Sequence, residues 1–480
     1  MKTYFKIIFT VFGVICFIAC ESMLDVSPKS SITVASMWED RGDAVGAMYG
    51  AYSQFRDAYG GNYHNWGDYR TAFYDSGVQP GRFNTGNLFD NTLLPDDPGT
   101  DWGSVYTLIN DVNLILKYVP DIEFANDAEK RFVIGNAYFL RGFAYFYIAR
   151  IWGDAPIITM PNESTANENL YPTRADAQSV FEQAGNDIEQ ALEMLPEGYW
   201  EGTGLASKEA ANMLKADFYL WQARVNGLDV LNNANEAVDA VLNSSNFSLS
   251  ESYEDVFQND VNEELIFSII YEQNESTNNE GFIQPAGNVP SDIHNNPVTV
   301  QSGENWFNIT ETYRDFLQEK EYDVRTNVTA ADYTYEDAYF LWVDKYKGTL
   351  DGTTRIFDSD YRVYRLAEAI LFKAEILNEL GQTSEAIEYL NIIAERAYDT
   401  ENYYPSSLSA SEVDDLILDE RLKEFSTEGK AWFDMIRFGQ AFDRIATLQG
   451  KENQQNILLW PVSYNTINRN DNIVQTPGYN

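Results

Sequence analysis

The sequence predicts an all-α fold: a scaffold of tetratricopeptide-like helical repeats interrupted by long irregular loops. Three observations support this. Apolar residues recur at three-to-four spacing over most of the chain. Two stretches, 59–100 and 273–352, break that period and concentrate Asn, Gly, Asp, Thr and aromatic residues. A hydrophobic content of 44% over 480 residues supplies enough apolar surface for one large or two moderate cores.

Taken in order, residues 1–19 read as an export signal. Lys2 and Lys6 precede an apolar run over 7–18, too short to span a bilayer and of the length of a signal core. The run closes Phe17-Ile18-Ala19-Cys20, which resembles a bacterial lipobox whose Cys becomes the lipidated first residue. The other cysteine, Cys16, lies in the segment to be removed, so Cys20 has no disulfide partner and lipidation accounts for it. Residues 20–480 then read as a single domain with loop-rich insertions at about 59–100 and 273–352.

Within that domain, apolar and aromatic residues on every face of 131–152 predict a helix buried nearly all round, ended by Gly153 and Pro156. Further helices are expected at 174–195, 207–226, 235–242, 361–380, 384–398 and 411–438, the last broken near Gly429. The segments 361–380 and 384–398 are joined by Gly381-Gln382-Thr383, and Ala367, Ala374, Ala386 and Ala394 let them approach closely, as in a tetratricopeptide hairpin. Segments 174–195 and 207–226 form a similar pair with a longer connection. A short strand is expected at 264–271. The aromatic content of the two irregular stretches argues for ordered loops.

Charge and composition narrow the function. Lys and Arg total 33 against 74 Asp and Glu, a formal net charge of -41, which repels nucleic acid and anionic lipid and suits a neutral or cationic ligand. Most of those carboxylates simply cover a solvated face. With only His64 and His294, and no pair of thiols after Cys16 is removed, zinc clusters and Cys/His or Ser/His catalysis lack material. The glycines at 42–50 and 60–61 lack the Lys or strand context of a phosphate loop. Asp96, Asp97 and Asp101, or Asp358 and Asp360, lack the ordered spacing of a dedicated calcium loop. No catalytic residue, metal or cofactor is expected.

The run Leu140-Arg141-Gly142-Phe143-Ala144-Tyr145-Phe146, followed by Trp152-Gly153-Asp154-Ala155-Pro156, closely resembles the signature helix and turn of the SusD/RagB family of outer-membrane nutrient binders. Asp419-Glu420-Arg421-Leu422-Lys423-Glu424-Phe425, then Glu428-Gly429-Lys430-Ala431-Trp432-Phe433-Asp434-Met435-Ile436-Arg437-Phe438-Gly439, resembles the family's C-terminal signature, with Lys430 where His or Arg is common. Leu24-Asp25, Trp102 with Tyr106 and Asn113, and the closing Trp460-Pro461-Val462 and Gln475-Thr476-Pro477-Gly478-Tyr479 extend the similarity over essentially the whole chain. The resemblance implies a SusD-like fold, a lipid-anchored position on the outer face of the outer membrane, capture of glycans, and a SusC-like TonB-dependent transporter as partner. The charged residues of both signatures read as helix-to-helix ion pairs.

A sugar presents C–H faces that stack on flat rings and a rim of hydroxyls that pair with amides, carboxylates and guanidinium groups. In the first loop that combination points to Tyr63, Asn65, Trp66, Tyr69 and Arg70, then Arg82, Phe83 and Asn87; in the second, to Asn305, Trp306, Tyr339 and Trp342. Trp66 and Trp306, each beside an Asn, are the leading candidates, and on this reading replacing either by Ala weakens binding without unfolding. Two rival readings stand beside this one: a peptide-uptake lid of the same fold, and a glycoside hydrolase, which needs only two carboxyl groups about 5 Å apart.

Overall fold

The computed structural model describes residues 37–76, 86–164, 170–199, 201–258, 260–275, 307–320, 322–335, 338–351 and 354–479. Its main helices are α1 (Arg41–Tyr59), α2 (Gly103–Tyr118), α3 (Asp127–Trp152), α4 (Ala177–Met194), α5 (Lys208–Arg224), α6 (Leu231–Leu242), α7 (Leu366–Glu379), α8 (Thr383–Tyr398), α9 (Ala410–Glu424) and α10 (Ala431–Arg437). Side chains fix several of the starts: Asp40 and Asp43 form a capping box on α1, Ser409 and Glu412 one on α9, while Asp176 and Ser207 accept the first-turn amides of α4 and α5.

The helices stack as successive antiparallel pairs. α3 packs most extensively on α4, α5 on α6 and α7 on α8, with α6 against α7 linking the last two pairs. The expected α7–α8 hairpin forms, whereas the other one is re-partnered: 174–195 takes α3 as its main neighbour, and 207–226 takes α6. Gly142 of the first signature marks how close α3 and α4 lie: a Cβ there would stand 3.0 Å from Ile188 Cγ1 and 3.2 Å from Ile188 N, so a larger residue would push α4 away by a few tenths of an ångström. Arg141 clamps the same junction, with Nε and Nη2 on the Asp187 carboxylate at 2.8 and 2.6 Å and Nη1 on Asn113 Oδ1 at 2.7 Å.

Strands occupy the irregular stretches and the segments flanking the second: β1 (Tyr74–Ser76), β2 (Leu265–Ile269), β3 (Phe307–Ile309), β4 (Ala331–Tyr335), β5 (Ala338–Trp342), β6 (Thr349–Asp351), β7 (Thr354–Ile356) and β8 (Tyr361–Arg365). They pair antiparallel as β1–β3, β2–β8, β4–β5 and β6–β7. The strand expected near 264–271 is β2. Residues 361–365, expected as the first turn of a helix, form β8 instead, all five of them buried against β2 and the core.

A buried ionic network ties these strands to the helices. Arg365, at the end of β8, binds Glu264 at 2.6 Å, Glu424 at 2.7 Å and Glu428 at 2.9 Å. Arg396 on α8 shares Glu264 and Glu424; Arg325 binds Asp323, Glu420 and Glu424; Lys345 binds Glu428. The carboxylates at 420, 424 and 428 that could have suggested a metal or an acid–base pair are therefore matched, by cations far away in sequence. Burial pushes the Glu424 carboxyl up, but Arg396, Arg365 and Arg325 outweigh it and hold it down at about 2.

Glu424→Ala leaves buried guanidinium groups uncompensated, so a loss of about 3–5 kcal/mol in chemical denaturation is expected. A second expectation concerns Asp360, which accepts the Tyr271 amide at 2.8 Å beside β2 and β8. Burial and the neighbouring Asp260 carboxylate raise its pKa to about 7. The folded state thus holds this proton after the unfolded chain has released it, and the group's contribution to stability declines as pH rises from about 4 to 7. Asp360→Asn keeps the acceptor and removes the ionisation, so Tm scans of the two proteins should diverge across that window, with the variant gaining on the wild type.

Candidate loop-face binding site

The two irregular stretches meet. In the β1–β3 ladder Tyr74 pairs with Ile309 and Ser76 with Phe307, and the Thr310 amide adds a bond to Phe73 O at 2.9 Å. The chain entering 77–85 and the chain leaving 276–306 are thus held side by side. Beneath them lies a bed of rings: Tyr69 stacks on Phe307 at 4.4 Å, Phe89 meets both edge-on, and Phe73 stacks on Tyr313 at 3.8 Å.

Burial corrects five of the twelve expected binding residues. Trp66 is 1% exposed, donates Nε1–H to Gly99 O at 2.9 Å, and meets Tyr59 and Trp152 edge-on. Tyr63 is buried against Tyr361, and Tyr69 is buried in the ring bed. A ring with no accessible face cannot stack on a sugar. Asn65 is buried and satisfied by Gly61 O and Asn62 Oδ1. Arg70, 1% exposed, pairs with neither Asp68 nor Asp75. It donates to Ile457 O at 2.6 Å, to Leu459 O at 3.3 Å and to Asn91 Oδ1 at 2.8 Å, and lies 4.1 Å over the Trp432 ring. Without a carboxylate partner, burial lowers its pKa to about 10.

Asn87 remains half-exposed and donates to Asp97 Oδ1 at 3.1 Å. Tyr339 and Trp342 sit on β5, paired in backbone with Thr334 and Ala331. Arg82, Phe83, Asn305, Trp306 and the lipidation candidate Cys20 lie outside the described residues.

Asp97 leads to what the sequence did not reveal. An open hollow of about 620 Å³ lies between the 95–104 segment and the helix Tyr464–Arg469. Its wall carries Asp96, Asp97, Asp101, Asn62, Thr100, Ser104, Asn465 and Arg469. Asp97 is anchored by the Leu94 amide at 2.6 Å, and burial raises its pKa; Asp101 is held by Gly103 N at 2.8 Å and the Thr466 hydroxyl at 3.3 Å. Tyr464, 42% exposed, lies in sequence between the lining residues Ser463 and Asn465. Carboxylates, amides, hydroxyls and a guanidinium match the hydroxyl rim that a sugar presents. A groove of about 680 Å³ along α4–α6 is slightly larger, but its lysines are already paired, Lys208 with Glu197 at 2.6 Å and Lys215 with Glu189 at 2.9 Å. Among the described residues, no cluster of His, Cys, Asp and Glu fit to hold a metal occurs.

Comparison with known proteins agrees with this architecture. A family model described as the SusD family matches residues 298–479, and one described as starch-binding associating with outer membrane matches residues 24–220. The chain is 29% identical over 500 residues to SusD-like protein P38 of Formosa agariphila, with 96% of each chain covered. It is 26% identical over 498 residues to SusD-like protein P25 of the same organism, with 92% of each covered. Among solved structures, Bacteroides fragilis NanU superposes with a TM-score of 0.80 at 24% identity, covering 95% of this chain and all of that one. A SusD superfamily protein of the same species gives 0.79 at 24% identity, covering 92% and all of that chain. Its signature helix, its C-terminal motif and its helical-repeat fold are thus similar to those of the SusD family over nearly the whole chain.

Proposed function

We propose that this protein is a cell-surface glycan-binding lipoprotein: anchored in the outer membrane through lipidated Cys20, it captures oligosaccharides on its loop face and delivers them unaltered to a partner TonB-dependent transporter. The observation that carries this reading is the joining of the two irregular segments through the β1–β3 ladder, with Asn87 in the first of them bonded to Asp97 in the wall of a polar hollow. The two family-model matches, one of them described as starch-binding associating with outer membrane, support it. So does the charge of -41, which repels anionic ligands and suits a neutral or cationic one. The binding surface comprises the hollow with Asn87, Tyr464 and Arg469, together with Arg82, Phe83, Asn305, Trp306, Tyr339 and Trp342. Each ring buries area worth roughly 25 cal/mol per Å², so two or three give the modest affinity that lets a carrier release its cargo.

The test is incubation of the lipid-free protein with a panel of oligosaccharides. Saturable binding with no new reducing ends supports carriage; new reducing ends would establish hydrolysis instead. Tyr464→Ala and Trp306→Ala should each weaken binding by about tenfold, or about 1.4 kcal/mol, with Tm unchanged. Trp66→Ala should instead cost about 3–5 kcal/mol of stability, read as a lowered Tm. Cys20→Ala should shift the protein from the membrane fraction to the soluble fraction on cell fractionation.

A further inference from the structure

Past its last helical residue, Arg224, helix α5 runs into a turn through Val225-Asn226-Gly227-Leu228, all four exposed. Asn226-Gly227 is the one Asn-Gly pair in the sequence. In such a pair the glycine nitrogen can attack the Asn side-chain carbonyl carbon and close a cyclic imide, because glycine has no side chain to crowd the approach.

The folded turn leaves that attack open. Gly227 adopts a φ of 70°, and no heavy atom stands within 4 Å of where a Cβ would be, so its backbone has room to swing. Its amide makes no hydrogen bond among the described residues. Elsewhere the amide after an Asn is tied: the Ser244 amide, after Asn243, donates to Val241 O at 3.0 Å, and the Thr92 amide, after Asn91, donates to Asn87 O at 2.9 Å. The Asn226 side chain is restrained by one bond, Nδ2–H to Gln222 Oε1 at 2.6 Å.

We propose that Asn226 is a site of spontaneous deamidation, a self-modification that takes only water as co-reactant. The Gly227 nitrogen gives its proton to solvent base and bonds to Asn226 Cγ; the Cγ–Nδ2 bond breaks, and the departing nitrogen takes up a proton and leaves as ammonia. Water then adds to either imide carbonyl and breaks its bond to nitrogen, leaving an aspartyl or an isoaspartyl linkage. The effect falls on α5. A carboxylate cannot donate to Gln222, and it adds negative charge beside a helix C-terminus whose carbonyls already carry partial negative charge. Arg224, in the affected turn, joins α5 to α9 through Asp414 at 2.8 Å and to α7 through Glu375 at 3.2 Å and Glu379 at 3.3 Å.

Incubation of the purified protein in mildly alkaline heavy-oxygen water, folded and urea-unfolded side by side, tests this by peptide mass spectrometry. Heavy oxygen should enter the Asn226 peptide of the folded protein at a rate near that of the unfolded chain, and before it enters the peptides holding Asn91 and Asn243. An isoaspartyl methyltransferase should label the product. Gly227→Ala should bring a several-fold loss of rate in both samples, whether or not the variant keeps its fold, and an unchanged rate would rule out attack by the Gly227 nitrogen. An Asn226 that stays intact in the folded protein while the unfolded chain converts would show that the turn protects it, and would overturn the proposal.

Discussion

Water is excluded from the place where Arg325, Lys345, Arg365 and Arg396 meet Glu264, Asp323, Glu420, Glu424 and Glu428, and the architecture depends on that meeting. Each of these charges costs several kcal/mol to remove from water, so a partial set is untenable and only the complete one is tolerated. The members come from the start of β2, the 323–345 segment, the end of β8, and α8, α9 and the turn after it. Satisfying all of them fixes the register of elements that hydrophobic contact alone would leave free to slide. The 307–351 segment, which has little helical period of its own, is pinned in this way to the helical repeats.

The same logic explains the base of the binding face. The segment 59–76 looks like a polar loop decorated with rings, yet its rings face inward and its one arginine is sealed by carbonyls and indoles. They form a stiff floor on which β1 and β3 are paired. A carrier benefits from such a floor, because a preformed site loses little ordering entropy when a flexible sugar docks. On the proposed function, the contacts that touch ligand can then be few and weak, which suits fast release.

What was legible in the sequence follows from range. The helices over 127–152, 208–224, 366–379 and 383–398 carry their signal in local periodicity, and their expected bounds differ from the observed ones by a few residues. Arg141 and the charges of the C-terminal signature read as structural, and they are. The helix Tyr63–Gly67, at five residues, is too short to show a period, so Trp66 read as loop; what buries it are Gly99 and Trp152, far along the chain. The hollow was invisible for the same reason, since its walls come from near residue 100 and near residue 465. β8 was mistaken for helix because a strand buried on both faces shows no alternation.

The claim that ligand engages the paired loops, and not the groove on the helical repeats, is tested most directly by hydrogen–deuterium exchange with and without a bound oligosaccharide. The account predicts new protection in peptides covering 77–107 and 276–309 and at 463–469, with exchange across α4–α6 unchanged. Protection confined to the Glu189 and Lys208 surface, with the loop peptides unaffected, would contradict it.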